Sequence, residues 1–351
     1  MDIKIFNKEK LYYLLINLNS VFVKTLGFFI FLFFIKSSWF GELVYSTSLM
    51  LILTSSFSSL IVTPSLENKQ KFRYAKTGYL ITFLLVVLLS KFVSKSSELA
   101  VYTIVLTSLN YMVDLNKKIY NSDNKILLKY ELFSILLYVL FFILLYKEKP
   151  LLIIILLVPI LIVSFKTLNK LIGKDSSLFS NLSYCKSSLW LTFISFISSN
   201  FIFVYLNSLI APELFNSINS YRVLLGPVGV ITGFIENKIM TLKKMFFNIP
   251  MILLFTVPFA TLSLFKFPNL YTYVIMGIIA SIYMSIIRLN NMYFRKSFLD
   301  NTIIKFSIIN LILIIVFNLV IIKYSSAYYI YYANILSLTL VQWNYQKKIE
   351  E

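Results

Sequence analysis

The stretch "ELFSILLYVLFFILLYKEKPLLIIILLVPILIVSFKT", residues 131–167, holds two apolar runs parted by Lys147, Glu148, Lys149 and Pro150. Between 132 and 146, and again between 151 and 165, there is no charged residue. Each run approaches the roughly 20 residues that a helix needs to cross a hydrocarbon core. The charged break reads as a tight turn outside the bilayer, so the stretch predicts two spans, 131–147 and 150–167.

The same pattern extends in both directions. Before this pair, spans are expected at about 12–35, 42–63, 78–96 and 99–116. After it they are expected at about 188–210, 214–236, 245–265, 269–289, 302–322 and 326–345. The expected fold is therefore an all-α polytopic membrane protein with about 12 transmembrane helices. Composition agrees, with 58% hydrophobic residues, 14% charged residues and a mean hydropathy of +0.80. A soluble domain carries about 25% charged residues.

The formal charge of +18 raises the question of nucleic acid. The lysines, however, lie between the apolar runs and do not gather on one polar face, so no nucleic-acid partner is expected. Of the 33 basic residues, 24 fall on one side of the expected span pattern, 7 on the other, and Lys24 and Arg222 lie within spans. By the positive-inside rule the richer side is cytoplasmic, which places both termini there. The basic start "MDIKIFNKEK" leads into an apolar run that lacks a small-residue cleavage site. That run is expected to be a retained anchor and not a cleaved signal peptide.

The chain has one cysteine, Cys185, and no histidine, which removes the commonest general base and metal ligand. It contains no GxSxG, Walker or GxGxxG motif. The expectation is a protein without catalytic residues, metal or cofactor, and not an enzyme.

The two halves correspond to one another. A shift of 171 residues carries each first-half span onto a second-half span. It also lays "GELVYS" (41–46) on "PELFNS" (212–217), pairing Glu42 with Glu213 and Ser46 with Ser217. Two six-helix lobes related by an internal repeat are expected, at 1–172 and 173–351, with a connector at about 168–187. Six crossings return the chain to its starting side, so the copies would be parallel repeats.

Two basic residues lie within the expected spans. Lys24 sits about 18 Å into span 1 and Arg222 about 12 Å into span 8, at 1.5 Å of rise per residue. A cation near the bilayer centre costs about 2.5–3.5 kcal/mol even on the mild insertion scale, so such residues usually face protein or water. Lys24 shares a stripe with Asn17 and Ser20, and the repeat pairs Lys24 with Ser195 on a second stripe of Ser188, Thr192, Ser195 and Ser199. The competing readings are snorkelling for Lys24, an ion pair with Glu213 or Glu42 for Arg222, and interhelical hydrogen bonds for the stripes.

In "NSYRVLLGPVGVITGF" (219–234), Arg222 is followed by Gly226, Pro227, Gly229 and Gly233. These glycines serve as a packing surface or, with Pro227, as a hinge. Acids are expected to avoid span centres, with Asp114 near the cytoplasmic end of span 4 and Glu236 at the end of span 8. Intramembrane cations without a central acid suit an anionic cargo such as a pyrophosphate, which Arg grips through paired donors.

Two stretches carry a family resemblance: "FGELVYSTSLMLILTSSFSSLIVTP" (40–64) and "APELFNSINSYRVLLGPVGVITGF" (211–234). Each has a short outer turn, a Glu led by Gly or Pro, and a span with small polar residues. With the two-lobe layout they resemble the O-antigen and capsule-unit flippases of the multidrug/oligosaccharidyl-lipid/polysaccharide exporter superfamily.

The resemblance implies a V-shaped transporter of the bacterial cytoplasmic (inner) membrane, working by alternating access. A cavity lined by spans 1, 2, 7 and 8 would move an undecaprenyl-pyrophosphate-linked oligosaccharide outward. Other polysaccharide-assembly membrane proteins are the implied partners. The chain departs from the family in its short length and tight loops. A polysaccharide polymerase or ligase and a multidrug exporter are the alternatives.

Overall fold

The computed structural model describes residues 40–62, 75–120, 123–172 and 300–324, with isolated helical positions at 189–190, 193–194, 197, 275 and 340. Among these the architecture is all-helical, with three-residue turns at 94–96 and 147–149. In chain order the helices are α1 (Phe40–Phe57, running on as a π turn, Ser58–Val62), α2 (Ala75–Val93) and α3 (Ser97–Ile119). They continue with α4 (Asn124–Tyr146), α5 (Pro150–Ile155), α6 (Leu157–Leu168, closed by a 3-10 turn at Asn169–Leu171) and α7 (Asp300–Tyr324).

Among the described residues four segments are long and apolar enough to cross a membrane: Phe40–Val62, Ala75–Val93, Lys125–Tyr146 and Pro150–Leu171. The other expected spans between 12 and 35 and from 188 to 289, and that at 326–345, lie outside the described residues apart from isolated positions. The described residues form two compact units. One holds α1 from Tyr45 onward together with α2–α6; the other holds residues 40–44 and α7.

The expected fourth and fifth spans both fold as helices. The fourth, α3, is less apolar than the four segments above. Its enclosure explains why: α3 packs against α2, α4, α5 and α6, so polar residues on it need not meet lipid. The expected fifth span starts at 131, whereas α4 begins at Asn124. Asp123 provides the reason, since its Oδ1 accepts the Ile126 N–H at 3.0 Å and caps the helix. Ser96 caps α3 in the same way, accepting the Leu99 N–H at 3.1 Å.

The turn at 147–149 is tight, as the sequence requires. The Lys149 N–H donates to Leu144 O and the Glu148 N–H to Leu145 O, both at 3.0 Å. This is the paired bonding of a Schellman cap, and it puts Glu148 at φ 50. Pro150 then begins α5, where its missing N–H costs nothing. Because a β-carbon is unfavourable in the left-handed region, Glu148→Gly is expected to stabilise the protein by about 1 kcal/mol. A higher melting temperature of the purified variant in mild detergent checks this. One turn into the next helix, Pro159 cannot donate to Ile155 O, and the helix breaks at Leu156 into α5 and α6.

Side chains in this unit are distributed inside-out relative to a soluble protein. On α2 the exposed row is Ile81, Leu84, Leu85, Leu88 and Phe92. On α4 it is Leu132, Leu136, Val139 and Ile143, and on α5–α6 it is Leu151, Ile155, Val158 and Ile162. Meanwhile Ser90, Thr103, Thr107, Asn116, Glu131, Ser134, Ser164 and Thr167 are buried. In the other unit α7 exposes Ile308, Ile312, Val316 and Leu319 and buries Asn310. Lipid, not water, matches such surfaces.

The core of the first unit is aromatic. Tyr79 of α2 and Tyr111 of α3 stack with centroids 5.5 Å apart and planes 11° from parallel. Phe57 of α1 meets both rings edge-on, and Phe165 of α6 meets Tyr79 at 5.6 Å. Gly78 lets α2 approach α1 there, since a β-carbon on it would lie 2.9 Å from Phe57 and from Ile61. Close approach at a small residue is how helices associate where lipid offers no hydrophobic drive.

Candidate functional site: a buried polar seam

Helix α3 places Thr103, Thr107, Asn110, Asp114 and Lys117 at alternating intervals of four and three residues, which is one stripe of a helix. Helix α4 answers with Glu131, Ser134 and Tyr138, three and then four residues apart. Two contacts join the stripes. The Tyr138 hydroxyl donates to Asn110 Oδ1, and Lys117 Nζ lies 3.6 Å from Glu131 Oε1. Ser134 donates its hydroxyl back to Tyr130 O at 2.7 Å.

The seam is enclosed. Glu131 is 3% exposed although it lies inside a segment long and apolar enough to cross a membrane, while Lys117 is 28% exposed. Glu131 falls in the third turn of α4 because that helix starts before its apolar run. A carboxylate there is tolerable only when paired, and Lys117 is a cation that pairs with it.

On the opposite flank of α3, Thr167 of α6 donates to Asn116 Oδ1 at 2.6 Å. The hydroxyls of Thr103 and Thr107 are fully buried and have no protein hydrogen-bond partner among the described residues. A buried hydroxyl without a partner costs about 1–3 kcal/mol. Tyr79 has Ser164 as a neighbour and Tyr111 has Ser58, in each case without full hydrogen-bond geometry.

Where α3 ends, Tyr120 binds the neighbouring helix ends together. Its ring lies 5.0 Å from that of Tyr130, and Lys170 Nζ sits 4.0 Å over its face. Burial and the adjacent Tyr130 hydroxyl push the Tyr120 phenol up to about 12, so Lys170 faces a neutral ring at physiological pH.

The residues singled out in the sequence, Lys24, Asn17, Ser20, Ser195, Arg222, Gly226, Pro227 and Gly229, all lie outside the described residues. The described geometry instead brings together Asn110, Asp114, Lys117, Glu131 and Tyr138. The four–three spacing on α3 was the available signal for them. Among the described residues no three His, Cys, Asp or Glu converge as a metal site.

Comparisons with protein-family models, with curated proteins and with solved structures found no match for this chain.

Proposed function

We propose that this protein is a transporter that flips an anionic, undecaprenyl-pyrophosphate-linked oligosaccharide from the cytoplasmic to the outer face of the bacterial inner membrane. The observation that carries the reading is the inside-out bundle: apolar rows on its outside, and a polar, charge-bearing seam enclosed within. Such a distribution is what a bilayer-embedded helical bundle requires, which is the setting in which a lipid-linked cargo is moved. The resemblance of residues 40–64 and 211–234 to the capsule-unit flippases supplies the cargo class, and Lys24 and Arg222 are assigned to its pyrophosphate. Asn17, Ser20 and Ser195 are assigned to the same cargo, with Gly226, Pro227 and Gly229 as the bending segment; all of these lie outside the described residues.

The described turns weigh against the polymerase alternative. Residues 94–96 and 147–149, both on the side read as external, are each only three residues long. An enzyme working on lipid-linked sugars at the outer face generally needs a sizeable loop there. Turns this short leave no room for one at these two places.

The test is to express Lys24→Ala, Arg222→Ala and the double variant in cells that depend on this gene. Surface polysaccharide should fall severalfold or more at normal protein levels, with complete lipid-linked units accumulating on the cytoplasmic face. Full export by the double variant would remove the cationic-path argument. Exported but unpolymerised units in the deletion strain would favour the enzyme.

A further inference from the structure

Helix α3 is the least apolar of the described α-helices of crossing length, yet it is enclosed on every side. Val105, Leu106, Thr107, Ser108 and Leu109 are consecutive and all buried, and at about 100° per residue they take in the whole circumference. No face of α3 is left to lipid at that level.

Helix α4 meets the polar groups of α3 in one antiparallel register. From Lys117 to Asn110 is seven residues back along α3, and from Glu131 to Tyr138 is seven residues forward along α4. Both contacts therefore belong to one hairpin, about 10 Å apart along its axis. Alone among lipid tails, α3 would present Asn110 and Lys117 without these contacts, and polar or charged groups facing lipid oppose insertion.

Charge supplies a second hold. Helix α4 is long and apolar enough to cross, with Lys125 and Lys129 at its start and Lys117 and Lys118 shortly before. Only Lys147 and Lys149 follow it before the next apolar run. Basic residues favour the cytoplasmic side, so α4 is held with its start there. Helix α2 ends at the opposite face, in the turn at 94–96, so the chain between that turn and α4 has to cross.

We infer that α3 is a dependent span, drawn across the membrane by α4. The lysines at the start of α4 fix its orientation, and the Asn110–Tyr138 and Lys117–Glu131 contacts hold α3 in place beside it. The polar seam is then a device for inserting a polar helix. The inference does not depend on the cargo proposed above.

The test uses the full chain in a Cys185→Ser background, with Ser122→Cys as a reporter between α3 and α4. Spheroplasts are treated with a membrane-impermeant maleimide before and after permeabilisation. In the otherwise wild-type chain the reporter should label only after permeabilisation. Glu131→Leu/Tyr138→Phe makes α4 more apolar while removing both contacts to α3, and should raise external labelling severalfold. Lys125→Gln/Lys129→Gln should do the same by loosening the orientation of α4. Adding Asn110→Leu/Lys117→Met to the first variant makes α3 itself apolar and should return external labelling to the wild-type level.

A reporter that stays protected in Glu131→Leu/Tyr138→Phe, whatever the fall in protein level, would overturn the inference and leave the contacts as stabilisers of the folded state alone. External labelling that the α3 substitutions do not reverse would place the fault in α4 and overturn it as well. Protection in Lys125→Gln/Lys129→Gln would overturn the part given to charge.

Discussion

Lys117→Ala is expected to destabilise the protein by about 2–4 kcal/mol, seen as an early transition when the purified protein in mild detergent is titrated with denaturant. The substitution leaves Glu131 enclosed in α4 without the cation 3.6 Å away. Breaking a fully buried pair from one side costs about 3–5 kcal/mol, and the partial exposure of Lys117 lowers the figure. Glu131 then stays charged at a high desolvation cost or takes up a proton. The double variant Lys117→Met/Glu131→Leu separates the loss of the pair from the loss of packing. It should recover to within about 1 kcal/mol of wild type, because an apolar pair of similar volume replaces both charges. A double variant as unstable as Lys117→Ala would mean that the carboxylate facing position 117 is not the cause.

The second large effect is expected at Tyr111. Tyr111→Ala should cost about 3 kcal/mol, at the lower end for loss of a buried aromatic ring. The ring stacks on Tyr79 and takes the edge of Phe57, so its removal opens a cavity where α1, α2 and α3 meet. Lipid is nearly as apolar as the core, so the cost rests on lost contacts more than on exposure to water. Tyr111→Phe keeps the ring and removes a hydroxyl that lacks full hydrogen-bond geometry. That change should cost less than about 1 kcal/mol and could stabilise. The melting temperatures of the two variants, measured side by side, check the contrast. Equal losses would place the energy in the hydroxyl and not in the stacking.

Neither effect could have been ranked from the sequence, though parts of each were visible. The apolar runs at 132–146 and 151–165 announce two helices because length and hydropathy are local properties that a bilayer reads directly. The turn between them was equally plain, since three charged residues and a proline leave it no other place. Helix α3 was less legible. Its polar residues lower its hydropathy, and only the four–three spacing of Thr103, Thr107, Asn110, Asp114 and Lys117 shows that they share one face. The start of α4 was misplaced because apolarity begins at 132, whereas the helix begins where Asp123 caps it. Glu131 is enclosed because its face of α4 meets α3, which the apolar run beginning at 132 does not show.

The sequence by itself determined that the chain is apolar, helical and suited to a membrane, because those properties follow from composition and period along single segments. The tertiary structure decided which polar residues face one another. Asn110 meets Tyr138, Lys117 meets Glu131 and Asn116 meets Thr167 only because α3 is packed among α2, α4, α5 and α6. A stripe on one helix fixes which residues share a face. It does not fix which neighbouring helix that face meets, since lipid would accept many arrangements of the same apolar exteriors, and side-chain packing and interhelical hydrogen bonds select among them.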